Sequence, residues 1–330
     1  MLFGTNSSGK SSILQSILLL LQSFETQGID YIDFGGGRGD YVDLGGFQQV
    51  VFNHDLTKPI KINFSYSKFI KNGNFDIVMK YKNDNTEIVD ERMTQNLWDF
   101  FANELQVFKG EKSHLSYLGP IRQNAQRSYL WSGSMPHKIE PDGENTLAIL
   151  TASKRANDKD DLLGNVSRWL NKLELASEFE ISPLDESKRF YETNVKTGSI
   201  IASLKDVGFG ISQVLPVITM LFFVPEGSII LLEQPELHLH PRAQAHLADL
   251  MLHVAQERNL QLIVESHSEH LLRRLQRRIA EVENEFASPE NVKMYFCDTG
   301  DNGSTIQSVE VDEYGQIQNW PNNFFGDITG

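Results

Sequence analysis

The sequence contains a single cysteine, Cys297, which excludes internal disulfides and any metal site built from clustered cysteines. No window is apolar for long enough to cross a membrane, and no secretory leader is recognisable. Internal repeats, low-complexity segments and long heptad arrays are also missing, which excludes a coiled-coil arm. We therefore expect the 330 residues to form a cytoplasmic chain of one large or two ordinary globular domains.

Basic residues are outnumbered by acidic ones, 30 to 44, so the chain carries a net charge of −14. This excess argues against nucleic-acid binding over the whole surface but leaves a local basic patch open. One predicted helix carries four arginines at helical spacing: Arg273, Arg274, Arg277 and Arg278. They form either a DNA-backbone contact or, as we favour, a solvated face that pairs with Glu281, Glu283 and Glu285.

Near its start the chain carries the pattern G-x-x-x-x-G-K-S, from Gly4 to Ser11. Its glycines let successive backbone N–H groups point at phosphates, its lysine brings them a positive charge, and its serine hydroxyl can hold Mg²⁺. A helical pattern over 11–27 follows directly, so the helix N-terminus would face the phosphates. The alternative, a Ser/Gly-rich turn before a buried helix, is much less favoured. The predicted nucleotide-binding residues here are Gly4, Asn6, Ser7, Ser8, Gly9, Lys10, Ser11 and Ser12.

The approach to this loop is unusually short. A phosphate-binding loop normally follows a buried strand, but only Met1, Leu2 and Phe3 precede Gly4. Either the first strand is missing from the chain, or these three residues are its stub. A missing strand predicts a weakened mount for the loop and an exposed edge of the core sheet, unless the true start lies upstream.

The remaining pattern predicts an α/β fold of the P-loop NTPase type, with a mixed, mainly parallel core sheet, an antiparallel β insertion and a helical insertion. Alternating apolar segments between 60 and 90, separated by turn residues, predict the antiparallel strands. We interpret the chain as one composite head. Its regions are the loop and first helix (1–30), the antiparallel β subdomain (41–90), a helical and β insertion (91–200), the core (201–282) and a small C-terminal region (283–330).

The second half of a nucleotide site is predicted where apolar strands end. Ile229–Glu233 is four apolar residues followed by a carboxylate, which Mg²⁺ and its waters need opposite the phosphate loop. A solvated glutamate at a strand end is the less favoured alternative. His267 follows a second apolar strand, and although a lone histidine there is usually structural, this one is a candidate to contact the γ-phosphate.

Two further patterns carry weaker signals. Gly208, Gly210 and Ser212 open a predicted helix, where small residues let backbone N–H groups approach an anion. On its own this pattern indicates only a tight turn with a helix cap. His238 and His240 lie in one turn, and a structural role is favoured over metal binding because no clustered cysteines accompany them.

Four motifs, in the order GTNSSGKSS, DVGFGISQ, IILLEQPELHLHP and IVESHSEH, resemble the ABC-type ATPase heads of the SMC/OLD-like group. More narrowly, the chain is similar to bacterial AAA-family ATPases that end in a C-terminal domain of unknown function. The resemblance covers nearly the whole chain. It implies ATP and Mg²⁺ as cofactors, and a homodimer or a dimer with a paralogue that closes around two ATP molecules.

The resemblance also implies a role for each motif. Residues 4–12 would be the Walker A loop, Glu233 the Walker B acid that holds Mg²⁺ together with Ser11, and His267 the switch histidine. The signature motif, which in this family contacts the γ-phosphate of nucleotide bound to a second subunit, would contain Gly208, Gly210 and Ser212.

Two glutamine positions coincide with functional positions of the family that the chain resembles. Gln234 stands where many ABC ATPases have the catalytic glutamate. A glutamine can position water but cannot take its proton, so either hydrolysis is slow or Glu236 or Glu265 serves as the base. For Glu236 a structural role, as an acid of the turn or of the helix start, is equally favoured. The Mg²⁺-sensing glutamine of the family is assigned to Gln48 or Gln49, and we choose Gln49.

The function predicted from the sequence is that of a dimeric Mg-ATP-dependent switch ATPase, with the catalytic residues Glu233, Gln234, Glu236 and His267. We expect it to work with a separate effector, such as a nuclease, in DNA repair or phage defence, because too few residues follow His267 to hold a nuclease domain. The main alternative is a non-hydrolysing, nucleotide-gated scaffold. A transporter subunit is disfavoured, since the β insertion and the LHLHP turn do not look like that family.

Overall fold

The computed structural model describes residues 1–27, 32–37, 40–68, 71–82, 85–88, 114–156, 161–281, 286–300 and 303–321. The chain divides into two compact units: one comprises Met1–Lys10 and Ser116–Gly330, and the other comprises Ser11–Leu115. The first part of the predicted helical and β insertion, residues 91–113, lies outside the described residues, as do Glu283 and Glu285.

In chain order the strands are β1 (Leu2–Gly4), β2 (Ile60–Lys68), β3 (Lys71–Lys82), β4 (Asn85–Ile88), β5 (Leu115–Leu118), β6 (Tyr129–Leu130), β7 (Glu178–Pro183), β8 (Phe190–Thr197), β9 (Ile200–Ser203), β10 (Ile229–Glu233), β11 (Gln261–Glu265), β12 (Met294–Gly300) and β13 (Gly303–Val309). The helices are α1 (Lys10–Gln27), α2 (Phe47–Val50), α3 (Thr146–Ala156), α4 (Leu162–Lys172), α5 (Phe209–Phe223), α6 (Pro241–Glu257) and α7 (Glu269–Ala280). A 3₁₀ turn covers Phe52–His54.

The first unit is built on a six-stranded sheet with the order β13-β12-β1-β11-β10-β5. β1 runs parallel to both of its neighbours, β10 runs parallel to β11, and β13 is antiparallel to β12. The mixed, mainly parallel core sheet predicted from the sequence is therefore confirmed. Parallel strands place their carboxyl ends along one edge of a sheet, and in this topology that edge carries the ends of β1, β10 and β11.

The short first strand lies inside this sheet rather than at its edge. Leu2 pairs with Glu265 of β11 on one side and with Tyr295 of β12 on the other. β1 is therefore the strand that leads into the loop, and the exposed sheet edge that a missing strand would leave does not arise. The reason is a long-range pairing: β12 comes from the C-terminal region, and a strand pattern alone does not say which strand it joins.

The helices of the first unit begin where local signals predict. Pro241 occupies the first turn of α6, whose N-cap is His240. Ser268 caps α7, where its hydroxyl accepts a hydrogen bond from the amide of Leu271. One hydrophobic core joins these helices to the sheet, because Leu232 of β10 and the apolar residues of α5 are buried in the same cluster. A smaller sheet contains β6, β7, β8 and β9.

The second unit contains the predicted antiparallel meander, in which β3 lies between β2 and β4. Its helix α1 buries a leucine-rich face, and the Gln22 side chain accepts hydrogen bonds from the amides of Tyr41 and Val42. Phe47 of α2 stacks on Tyr81 with ring centroids 5.8 Å apart. The sequence pattern indicated neither α2 nor the 3₁₀ turn, because both are too short to show a helical period.

Candidate nucleotide site

The loop between β1 and α1 requires its two glycines. Gly4 has a φ of +144° and Gly9 a φ of +88°, which are conformations that favour glycine. A side chain at Gly4 would also place its Cβ 2.2 Å from the carbonyl oxygen of Cys297 on β12. Ser7 is left-handed as well, with a φ of 60°. The loop is therefore a tight, strained curl whose shape depends on its position beside β12.

Lys10 is folded over this curl. The residue is 3% exposed, and its ammonium group donates to the carbonyls of Thr5 at 2.6 Å and Gly4 at 3.2 Å. Burial lowers the pKa of Lys10, and the charge of Glu265 opposes that change. The Ser8 hydroxyl, also buried, donates to the Thr5 carbonyl at 2.8 Å. The carbonyls of Gly4 and Thr5 are therefore hydrogen-bond acceptors of the ammonium group.

The other predicted loop residues differ in exposure. Asn6, Ser7 and Ser12 are exposed, and Ser11 is half-buried. Ser11 is the first residue of the second unit, so its role as a magnesium ligand stays a prediction. The same holds for Gln49, which lies on α2 of that unit with its side chain beside the backbone of Gly46.

Two buried carboxylates meet at the ends of β10 and β11. Glu233 and Glu265 are paired in register and are 7% and 2% exposed. Burial raises the pKa of Glu233 to about 7, and the charge of Glu265 adds to the rise. The Tyr117 hydroxyl donates to Glu233 Oε1 at 2.8 Å. Paired carboxylate oxygens suit a divalent cation, so these residues fit the Mg²⁺ that such a site would hold.

His267 lies next to the same pair. Its Nε2 is 4.0 Å from Glu265 Oε1, and its side chain is 36% exposed. Burial lowers the pKa of His267, the charge of Lys10 lowers it further, and Glu265 acts in the opposite direction. The predicted loop lysine, strand acid and switch histidine therefore surround one carboxylate, Glu265, which the sequence suggested only as an alternative base.

The segment after β10 turns sharply. Gln234 has a φ of 44°, and its backbone N–H donates to the backbone carbonyl of Glu265 at 2.9 Å. This turn brings Glu236 back to the end of β11, where its Oε1 accepts from the Ser266 hydroxyl at 2.7 Å and the His267 amide at 3.0 Å. Glu236 is 6% exposed, and burial raises its pKa. Gln234 and Glu236 thus belong to one turn. The backbone of Gln234 is bound to the last residue of β11, and the carboxylate of Glu236 is bound to the two residues that follow it.

The predicted signature residues form the start of α5. Gly208 is the N-cap, and the Ser212 hydroxyl donates to the Phe209 carbonyl at 2.9 Å. A Cβ at Gly210 would lie 3.1 Å from the carbonyl oxygen of His238. Gly210 therefore has a local reason to be glycine, close packing against the turn after β10. Contact with a second subunit's nucleotide stays a prediction.

The two histidines of that turn have structural contacts. The His240 ring Nδ1 accepts from the Arg242 amide at the start of α6, and the His238 ring lies 6.1 Å from the Phe209 ring. Across the described ranges, no group of three or more His, Cys, Asp or Glu side chains is gathered as a metal site.

The arginines of α7 are all in ion pairs. Arg274 and Arg278 both bind Asp249 of α6, at 2.8 and 2.7 Å. The other two pair with acids four residues away, Arg273 with Glu269 and Arg277 with Glu281. The predicted pairing with Glu281 is confirmed, whereas Asp249 carried no signal in the sequence because it lies on another helix. These pairs account for the arginine run without a bound nucleic acid.

The C-terminal region touches the phosphate loop. The Thr299 hydroxyl donates to the Ser7 carbonyl at 3.4 Å. The Ser304 side chain lies against Gly9, since a Cβ added to Gly9 would be 3.0 Å from it. The hairpin of β12 and β13 therefore forms one wall of the loop.

Among the described helices, none is long and apolar enough to span a membrane.

The fold, the loop and the acids at the strand ends define an ATPase head of the P-loop type. The chain belongs to the family described as "AAA domain, putative AbiEii toxin, Type IV TA system", whose model matches residues 1–273. Residues 288–330 match a protein family of unknown function, DUF3696. No curated protein matches the sequence.

One solved structure of an SMC head shares this fold, and two further SMC heads match with lower TM-scores. An SMC head bound to the C-winged helix domain of ScpA is 14% identical, with a TM-score of 0.54 over 94% of this chain and 90% of that one. The SMC head domain from Thermotoga maritima is 13% identical, with a TM-score of 0.45 over 94% and 89% of the two chains. The match to an Smc head with an extended coiled coil from Pyrococcus furiosus, bound to the C-terminal domain of ScpA, has 14% identity and a TM-score of 0.36. It covers 51% of this chain and only 38% of that longer chain.

Proposed function

We propose that this protein is a Mg-ATP-dependent switch ATPase whose two copies, or one copy and a paralogue, close around the nucleotide. One observation carries the proposal: Lys10, Glu233 and His267 converge on Glu265 at the carboxyl edge of the core sheet. Loop lysine, strand acid and histidine are the groups that phosphate binding, metal binding and γ-phosphate sensing need. Membership of an AAA family supports the same reading.

The roles follow from the positions. Lys10 would leave the carbonyls of Gly4 and Thr5 to hold the β- and γ-phosphates, because phosphate oxygens are stronger acceptors. Ser11 and Glu233 would hold Mg²⁺, with Gln49 as a sensing residue. The metal, when bound, neutralises charge on the phosphate oxygens. His267, held neutral by its depressed pKa, would contact the γ-phosphate as a hydrogen-bond partner.

The second copy would complete the site through Gly208, Gly210 and Ser212. The geometry at the start of α5 supports this role, because the space around Gly208 is open and the neighbouring Phe209 side chain is 61% exposed. A helix N-terminus with small residues can approach an anion closely. A dimer closed by nucleotide would cover this surface.

Lys10→Ala tests the nucleotide site. We expect the substitution to abolish ATP binding measured by calorimetry, while the matched change Lys138→Ala, at an exposed lysine paired with Glu140, leaves affinity unchanged. Retained affinity in Lys10→Ala would refute the site.

A non-hydrolysing, nucleotide-gated scaffold is the second candidate, and Gln234 favours it because an amide cannot accept a proton. Tight ATP binding without phosphate release above background would select the scaffold. Either form would act on a separate cytoplasmic effector, such as a nuclease, in DNA repair or phage defence. Pull-downs with and without ATP would identify that partner and show whether DNA accompanies it.

A further inference from the structure

A buried arginine beside the site has most of its guanidinium group unsatisfied. Arg122 follows β5 and is 5% exposed. One terminal nitrogen donates to the carbonyls of Glu233 at 2.9 Å and Gln234 at 3.3 Å. Its Nε and its other terminal nitrogen have no hydrogen-bond partner among the described residues. A buried cation with open donors costs free energy unless another group fills them.

Among the described residues, Glu236, whose negative charge interacts with Arg122, has a hydrogen-bond partner for only one of its two carboxylate oxygens. Glu236 Oε1 is bound by Ser266 and His267, but within the described part of the chain its Oε2 has no hydrogen-bond partner. The two charges influence each other. Burial lowers the pKa of Arg122 to about 10 against the pull of Glu236, and Arg122 opposes the burial that raises the pKa of Glu236. Open donors thus accompany an open acceptor, which is the environment of a bound water.

We propose that Arg122 and Glu236 hold the water that attacks the γ-phosphate, with Glu236 as the base and Arg122 as its positioning residue. This rests on the proposed function. The water oxygen forms a bond to the γ-phosphorus while the bond from that phosphorus to the β–γ bridging oxygen breaks. The bridging oxygen leaves with the electron pair on ADP, and the water proton passes to Glu236 Oε2. A carboxylate three residues after Gln234 thus supplies the proton acceptor that the amide cannot.

The other acid at the site is less suited to this step. Glu265 is paired in register with Glu233, lies 4.0 Å from His267 Nε2 and interacts with the charge of Lys10, so its carboxylate belongs to the metal and phosphate side. Arg122 has a second task in this arrangement. Its grip on the carbonyls of Glu233 and Gln234 fixes the left-handed turn that returns Glu236 to the end of β11.

Turnover and binding together test the water site. We expect Arg122→Met and Glu236→Gln each to lower kcat about 100-fold, while the affinity for ATPγS changes less than about threefold. Arg122→Lys keeps the positive charge but loses the planar guanidinium group with its several donors, so its kcat should lie between those of Arg122→Met and the wild type. Arg168→Met, at an exposed arginine paired with Asp161, is the control and should keep the wild-type rate. A wild-type rate in Arg122→Met overturns the inference.

Unfolding of the nucleotide-free protein gives a readout that does not depend on activity. Each single variant leaves one buried charge without its counterpart, so each should lower the Tm by about 5 °C or more. The double variant Arg122→Met/Glu236→Gln should lose less than the two singles added together. Strictly additive losses would contradict the pairing.

These measurements separate the two proposals. A wild-type protein that binds no ATP overturns the proposed function and this role with it. A wild-type protein that binds and hydrolyses ATP, with Arg122→Met and Glu236→Gln equally fast, overturns only the assignment of Arg122 and Glu236.

Discussion

Glu233 and Glu265 lie side by side at the ends of adjacent parallel strands, in register and almost fully buried. Like charges in that position repel, and the pKa of Glu233 rises to about 7 as burial and its neighbour disfavour ionisation. Lys10 and His267 border the same pair. The arrangement is unfavourable for a resting protein and favourable for one that receives a cation there.

The pH dependence of the free energy of unfolding should reveal the raised pKa of Glu233. Because the folded-state pKa of Glu233 is raised from 4.5 to about 7, the native state holds a proton that the unfolded state releases. That contribution is complete below about pH 4.5 and is lost as pH rises through about 7, about 3 kcal/mol in all. Denaturant titrations of the nucleotide-free protein between pH 5 and 8 measure it.

Glu233→Gln is the matched variant for that titration. The amide cannot ionise, so this part of the pH dependence should disappear and the protein at pH 8 should gain stability. A slope that survives the substitution would assign the titration to another group.

Gly4→Ala should lower the stability of the protein for two reasons, an unfavourable backbone φ and a steric clash with β12, and a control variant separates them. The new Cβ would lie 2.2 Å from the Cys297 carbonyl, in addition to the cost of a φ of +144°. Gly133→Ala is the control, because its φ is +93° but no atom lies within 4 Å of the added carbon. We expect about 1–2 kcal/mol of lost stability in the control and at least 1 kcal/mol more at Gly4, measured by chemical denaturation. Equal losses would show that β12 does not press on the loop.

The C-terminal hairpin should influence nucleotide affinity, because Ser304 lies against Gly9. Ser304→Leu would crowd the phosphate loop, and we expect ATP to bind roughly tenfold more weakly by calorimetry. Thr305→Leu, one position along β13 and facing the opposite side of the hairpin, serves as the control. Unchanged affinity in Ser304→Leu would limit the C-terminal region to a structural role.

Asp249 should be worth more to stability than an exposed acid. Asp249→Asn would leave Arg274 and Arg278, which are 16% and 28% exposed, without their shared counter-charge. The expected loss is about 2–4 kcal/mol by denaturation. Glu174→Gln, which breaks an exposed pair with Arg242, should cost under about 1 kcal/mol. Comparable losses would show that the two arginines are not held by Asp249.

What the sequence predicted, and what it did not, follows from distance along the chain. The phosphate loop, the acid at the end of β10 and the histidine after β11 each lie in a contiguous motif, so their residue types and spacing could be read directly. The switch role of His267 came from the family resemblance and stays a prediction. Tyr117 and Arg122 reach Glu233 across 116 and 111 residues, and no local pattern records such a contact. A lone arginine after a strand reads as a solvated charge until its burial is known.

The most direct test of the account mixes two inactive variants. Lys10→Ala disables the loop of one copy, and Ser212→Arg blocks the signature of another. If two copies share each site, a one-to-one mixture forms heterodimers with one intact site, and ATP hydrolysis should return to about a quarter of the wild-type rate. If each chain completes its own site, the mixture will stay as inactive as its components, and that result would contradict the dimeric switch.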